Sequence, residues 1–168
     1  MITIRPYRES DARSVGQLIA DTYSTFNLSF ASPEDRARLL GPFQHAYSPE
    51  KAHREAIART ICSEMVFVAE EEGEIVGVLR GRRERLASLF VRGDRHRQGI
   101  GRMLVERFEQ ESRSQGVTVI RVASTVYAVP FYLAMGYKRS TGVRSAWSFE
   151  GRGLQVQPMK KTLRRSGR

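Results

Sequence analysis

The sequence predicts an α/β fold, a single mixed β-sheet with helices on both faces. Three observations point there. Strand-like runs and amphipathic helical runs alternate along the 168 residues, with no internal repeat and no low-complexity linker. A hairpin signal in the first half makes the opening strands antiparallel. Further on, two apolar runs flank one amphipathic helix, which makes that pair parallel.

The elements follow in order. Ile2-Thr3-Ile4-Arg5 reads as the first strand. Ser10-Asp11 can cap a helix whose Val15, Leu18, Ile19 and Tyr23 fall at helical spacing. Between 26 and 48, Pro33, Gly41 and Pro42 break the pattern, and a short helix near 33–40 is expected between loops that carry Phe26, Phe30, Phe43 and Tyr47. Ser48 then caps, and Pro49 opens, a helix to about Ser63. Cys62, near its end, reads as a small core residue. Met65 to Ala69 and Ile75 to Leu79 form the hairpin around Glu71-Glu72-Gly73-Glu74. Leu86 to Val91 is a fourth strand, expected to be buried on both faces because its apolar reading is unbroken. The helix after it carries Ile100, Met103, Leu104 and Phe108 on one stripe and stops at Gly116. Val117 to Val122 is a β-branched fifth strand. A short helix ends at Gly136, and strands near 144–150 and 154–163 close the sheet through Glu150-Gly151-Arg152-Gly153. The expected organisation is a single domain over 1–163 and a basic tail over 164–168.

Charge is informative once it is located. The chain carries a formal +10. Residues 80–102 hold eight arginines against Glu84 and Asp94, and the last nine residues hold Lys160, Lys161, Arg164, Arg165 and Arg168. The remainder is close to neutral. The first cluster suits a polyanionic small molecule, and the second reads as a solvated end. One cysteine permits no internal disulfide. No apolar run approaches the ~20 residues that span a bilayer, and Met-Ile-Thr-Ile-Arg reads as a strand, not a signal peptide. A soluble, cytoplasmic protein without a membrane partner is expected.

The most specific stretch is Arg95-His96-Arg97-Gln98-Gly99-Ile100-Gly101-Arg102, where strand four passes through a basic loop into a helix. First-turn N–H groups there have no helical acceptor and sit at the positive end of the helix dipole. Gly99 and Gly101, without Cβ atoms, let a ligand reach that backbone. The result is a phosphate cradle. A dinucleotide fingerprint would need a third glycine at Leu104, and a Walker loop would need Gly-Lys-Ser/Thr, which the chain lacks.

These residues resemble motif A of the GNAT N-acetyltransferase superfamily, Gln/Arg-x-x-Gly-x-Gly/Ala, with His96 in the first position. Ala128-Val129-Pro130-Phe131-Tyr132-Leu133-Ala134-Met135-Gly136-Tyr137 resembles motif B of the same family, Ala-x-x-Phe-Tyr-x-x-x-Gly-Phe/Tyr. Its Val-Pro-Phe-Tyr is similar to arylalkylamine N-acetyltransferases. Thr125 stands where many members carry Asn. The resemblance covers roughly residues 65–163.

The resemblance implies acetyl-CoA as co-substrate and no metal. Its pyrophosphate would lie on Arg95, His96, Arg97, Gln98, Gly99, Ile100, Gly101 and Arg102. Its pantetheine would run along Leu89, Phe90 and Val91, between fourth and fifth strands that splay apart, with Thr125, Ala128 and Phe131 completing the wall. Tyr132 matches the family tyrosine that protonates the leaving thiolate; a phenol keeps its proton at neutral pH. The attacking amine must be neutral although its free pKa is ~10, and no nucleophilic side chain is needed. Glu84 is the candidate general base by position, with His45 and Glu50 as alternatives. Trp147 and Tyr137, and likewise Phe26, Phe30 and Tyr47, are candidates for acceptor-pocket walls or for plain packing.

Five functions are weighed. The leading one is acetyl transfer to the primary amine of a small or amino-acid-like acceptor. Acetylation of a protein or peptide, acetylation of aminoacyl-tRNA, a non-catalytic nucleic-acid-binding module, and a non-catalytic CoA sensor, against which Tyr132 argues, are the alternatives. The basic residues lack the aromatic interleaving of single-strand binders, so nucleic acid is not the expected partner. A homodimer is compatible with the sequence, which does not set the oligomeric state.

Overall fold

The computed structural model describes residues 1–164. β1 (Ile2–Pro6) leads through a 3₁₀ turn into α1 (Ala12–Thr22), α2 (Pro33–Leu40) and α3 (Lys51–Ile61). The antiparallel run β2 (Met65–Glu71), β3 (Glu74–Arg82) and β4 (Arg85–Val91) follows, then α4 (Ile100–Ser114) and β5 (Val119–Thr125). The chain closes with α5 (Val129–Ala134), the short β6 (Lys138–Arg139), β7 (Arg144–Ser148) and β8 (Gly151–Thr162). The sheet order is β1-β2-β3-β4-β5-β8-β6, with β7 also paired to β8. Among the described residues only β4 and β5 run parallel; every other pair is antiparallel.

The mixed sheet with helices on both faces is as the sequence predicts. Apolar residues of α4 and α5, including Leu104, Phe108 and Tyr132, pack with Leu79, Leu86 and Ile120 on one face. On the other, Val15 and Ile19 of α1 and Ile57 and Ile61 of α3 meet Val68, Val78 and Phe90. Ser32 caps α2 by accepting from the Asp35 N–H at 3.2 Å, with Pro33 opening the helix.

The parallel pair positions the site. β4 and β5 are in register only at Arg85 opposite Arg121 and Leu86 opposite Val122. Beyond Leu86 they diverge, and the β4 edge from Ala87 to Val91 faces an open V. The expectation that β4 is buried on both faces is therefore corrected. Ala87 is exposed and Ser88 and Leu89 are half-buried, because the neighbour that would cover them has swung away. A bulge opposite Arg80 and Gly81 adds to the bend.

Three further differences are local. α1 does not stop at Thr22 but widens into a π turn over Tyr23–Asn27, where the Leu28 N–H reaches the Tyr23 carbonyl at 3.0 Å. The fifth strand starts at Val119, because the Val117 N–H is used to close α4 onto the Ser112 carbonyl. Cys62 is exposed at the end of α3 and is not a core residue. Among the described residues no helix is long and apolar enough to cross a membrane. The tail proposed for 164–168 lies outside the described residues apart from Arg164, whose carbonyl accepts from Arg113 Nε at 2.9 Å.

Candidate active site

A cleft of about 580 Å³ opens along the V between β4, the loop before α4, and α5. Its upper end is the Gly-x-Gly loop. Arg97 has φ 62°, uncommon for a side-chain-bearing residue, and Gly99 has φ 81° as the residue before α4. These left-handed turns aim successive N–H groups into a concave nest. The first helical hydrogen bond runs from the Met103 N–H to the Gly99 carbonyl at 3.0 Å, so the N–H groups of Ile100, Gly101 and Arg102 have no helical acceptor. A Cβ at Gly99 would meet nothing within 4 Å. A Cβ at Gly101 would lie 3.1 Å from the Phe131 ring. The cradle is open at one glycine and closely walled at the other.

The structure brings most of the predicted binding residues to this cleft. Leu89, Phe90 and Val91 form its β4 wall, Arg95, His96, Arg97, Gly99, Ile100, Gly101 and Arg102 its upper rim, and Ala128, Phe131 and Tyr132 its α5 wall. His96 is committed inward: Nε2 lies 2.6 Å from the Val91 carbonyl, and its ring packs on Phe26 at 4.5 Å between centroids. Arg95 is held by Glu71 at 2.6 Å and by Asp94 at 3.4 Å. Exposed Arg97 and Arg102 carry the more available charge; Arg102 has only Glu106 at 3.8 Å. Gln98 is exposed and is not brought to the cleft.

A second cavity of about 270 Å³ adjoins the first on the α1 side of β4. Asn27, Leu89, Phe90, Ala128 and Tyr132 border both. Thr125 lines this second cavity instead of the cleft and accepts from Asn27 Nδ2 at 2.7 Å, which ties the π turn of α1 to the end of β5. Tyr23 and Ser148 share a buried hydrogen bond of 2.5 Å at its back. A third hollow, about 610 Å³ between α1 and the β2–β3 turn, holds none of the residues predicted to bind cofactor.

Tyr132 sits at the junction. Its ring is only 4% exposed and packs edge-to-face on Phe131 and Tyr137. No protein group hydrogen-bonds its hydroxyl among the described residues, and burial alone pushes the phenol up. The proton is therefore firmly held, and the donor is uncommitted where the two cavities meet.

The candidate bases and aromatics are placed differently from the sequence reading. Glu84 is exposed in the β3–β4 turn, at the closed end of the V, and lines neither cavity. His45 stacks on His53 at 3.9 Å away from both cavities, and Glu50 is exposed before α3. Trp147 does line the second cavity, under the Arg152 guanidinium at 4.6 Å. Tyr137 is a buried packing residue bonded to Glu109 at 3.0 Å. Sequence reasoning missed Asn27, Arg80, Ser88 and Tyr127. Ser88 and Arg80 had a signal, since each is a polar residue set within the apolar part of its strand.

The family model of the acetyltransferase (GNAT) domain matches residues 31–163, most of the chain. The chain belongs to the GNAT acetyltransferases. It is an acyltransferase by family. No curated protein matches the GNAT chain significantly, but solved structures do. A GCN5-related N-acetyltransferase from Rhodopseudomonas palustris is 20% identical, with TM-score 0.77 over 96% of this chain and 95% of that one. The PaiA N-acetyltransferase of Thermoplasma acidophilum, solved with coenzyme A, is 16% identical, with TM-score 0.65 over 97% and 99%. The yncA protein of Salmonella typhimurium, solved with acetyl-CoA as its cofactor, is 20% identical, with TM-score 0.60 over 100% and 97%. At these identities the likeness establishes the shared fold. Among the described residues no cluster of His, Cys, Asp and Glu is arranged to hold a metal ion.

Proposed function

We propose that this GNAT protein moves the acetyl group of acetyl-CoA directly to the primary amine of a small or amino-acid-like acceptor. The observation that carries the reading is the meeting of two cavities at one uncommitted hydroxyl. The larger has a phosphate cradle at one end and the free β4 edge along its side. The smaller, about 270 Å³, is the size of a small acceptor. Tyr132 stands between them.

The roles follow from chemistry. The orphan N–H groups of Ile100, Gly101 and Arg102, with Arg97, hold the pyrophosphate. The open β4 edge pairs with the pantetheine amides, and its backbone donors face the carbonyl oxygen that gains charge. The amine enters neutral from the smaller cavity. A carbon–nitrogen bond forms, the carbon–sulfur bond breaks, the surplus amine proton leaves to water, and the sulfur takes a proton from Tyr132, which water restores. Glu84, exposed in the β3–β4 turn and lining neither cavity, is given no part.

The test is free-thiol release from acetyl-CoA in the presence of small amines, amino acids, peptides or tRNA. Amine-dependent release with small acceptors is expected. Release with peptides or tRNA alone moves the acceptor to a macromolecule, and affinity for RNA without release moves the protein to a binding module.

A further inference from the structure

Arg80 is out of place as a purely structural arginine. It lies on β3, opposite Ser88 of β4, on the face that carries α1 and α3. Its Nε donates to the Ile61 carbonyl at 2.9 Å and one terminal nitrogen to the Thr60 carbonyl at 2.6 Å, so it caps the end of α3. The other terminal nitrogen reaches Ser88 Oγ at 3.3 Å. A guanidinium carries five N–H donors, so these three bonds leave donors on both terminal nitrogens. Arg5, Arg92, Arg95 and Arg107 each have a carboxylate within salt-bridge range. Arg80 has none among the described residues, and burial pushes its guanidinium down. It holds a partly buried positive charge with helix-end carbonyls, the Ser88 hydroxyl and the Cys62 thiol around it.

That charge borders the smaller cavity, whose other walls offer the free hydroxyls of Ser88 and Tyr132 and no Asp or Glu; the Tyr23 and Ser124 hydroxyls are spent on Ser148 and on the Thr125 carbonyl. A cavity with one cation, free hydroxyl donors and no acid is complementary to an anion. Arg80, Ser88 and Tyr132 line the same cavity of about 270 Å³, so an anion at Arg80 and an amine near Tyr132 fit within one small molecule. The planar fork matches the two oxygens of a carboxylate.

We propose that the acceptor is an amino acid or similarly small amine bearing a carboxylate, and that Arg80 with Ser88 holds that carboxylate. This rests on the acetyl-transfer reading for its amine but not for its anion, so a binding measurement separates the two. The probes are free α-amino acids and their matched α-carboxamides, which share the amine and differ at the acid. Calorimetry on the full chain loaded with CoA reads affinity without turnover. At least one amino acid is expected to bind about 10- to 100-fold more tightly than its carboxamide, the range for bonds to a charged group. Arg80→Gln should erase that preference. Arg80→Lys should keep part of it, since the charge stays and the fork is lost. The comparison in the parent needs no variant to fold. Equal affinity for acid and amide, no binding of either, or a preference that survives Arg80→Gln overturns the assignment. Arg80-dependent binding without acetylation of any probe leaves it standing and sinks the acetyl-transfer reading instead.

Discussion

Tyr132 is where residue identity matters most. Replacing it by Phe removes one oxygen from a ring whose packing is set by Phe131 and Tyr137. The fold and acetyl-CoA affinity should stay close to the parent, while turnover falls about 10²-fold, the low end for a positioned acid. The loss should appear equally in kcat and kcat/KM, as for an interaction made in the transition state. Because burial raises the phenol above its ordinary value, the parent should lose no activity to Tyr132 ionisation up to about pH 10. Steady-state kinetics on both proteins check this, and unimpaired turnover with chemistry rate-limiting returns Tyr132 to a packing role. Gly101 is the second such position. A Cβ there lies 3.1 Å from Phe131 on one side and faces the cradle on the other. Gly101→Val should therefore displace Phe131 and weaken acetyl-CoA binding by at least about tenfold, the scale of one lost charge-assisted hydrogen bond. Calorimetry showing unchanged affinity would remove the loop from the binding site.

At the scale of elements, what the sequence made legible is what short-range chemistry decides. The strand–Gly-x-Gly–helix unit and the Pro-Phe-Tyr helix are contiguous, so their roles could be read off neighbours. The β4–β5 divergence could not, since nothing in Leu86 to Val91 distinguishes a strand covered by its neighbour from one awaiting a ligand. Glu84 was misplaced for the same reason. A hairpin turn and a bulged strand end look alike when the register is unknown. The arginine cluster also split in space. Arg82, Arg83 and Arg85 went to the β3–β4 hairpin, and Arg95, Arg97 and Arg102 went to the cleft. Lys161, counted with a solvated end, instead reaches Glu109 of α4 at 2.8 Å, and that carboxylate is only 4% exposed and also accepts from Tyr137. The contact locks β8 to α4. Lys161→Met should strand a buried carboxylate and cost about 3–5 kcal/mol. Urea unfolding should show a lower midpoint at unchanged slope. Acetyl-CoA affinity of the folded fraction should not move, because Glu109 lies about two turns from the cradle.

For the whole molecule, a sheet that opens at its centre must be held together at its flanks. The α1 layer is tied to the first strands by an ion cluster: Arg5 donates to Asp11 at 2.8 and 2.9 Å and to Glu70 at 2.7 Å, and Asp11 also accepts from the Arg8 N–H. This fixes the start of α1, and its far end supplies Tyr23, Phe26 and Asn27 to the site, so the anchor and the cavity share one helix. The Arg5 hydrogen bond is the main cause that holds Asp11 below the usual carboxylate range. A group with a depressed folded pKa stabilises the fold fully above its unfolded value, about 3.9, and loses that contribution as pH falls through the folded value. Arg5 is shifted upward, so its side of the linkage lies far above working pH. The parent should therefore lose this contribution as pH falls below about 4. Asp11→Asn should cost about 2 kcal/mol at pH 7, the range for hydrogen bonds to a charged group, and the gap between the two proteins should narrow towards pH 3. Thermal melts from pH 7 to pH 3 decide it: a gap that keeps its size across that range would mean that Asp11 acts through its shape at the start of α1 and not through its charge.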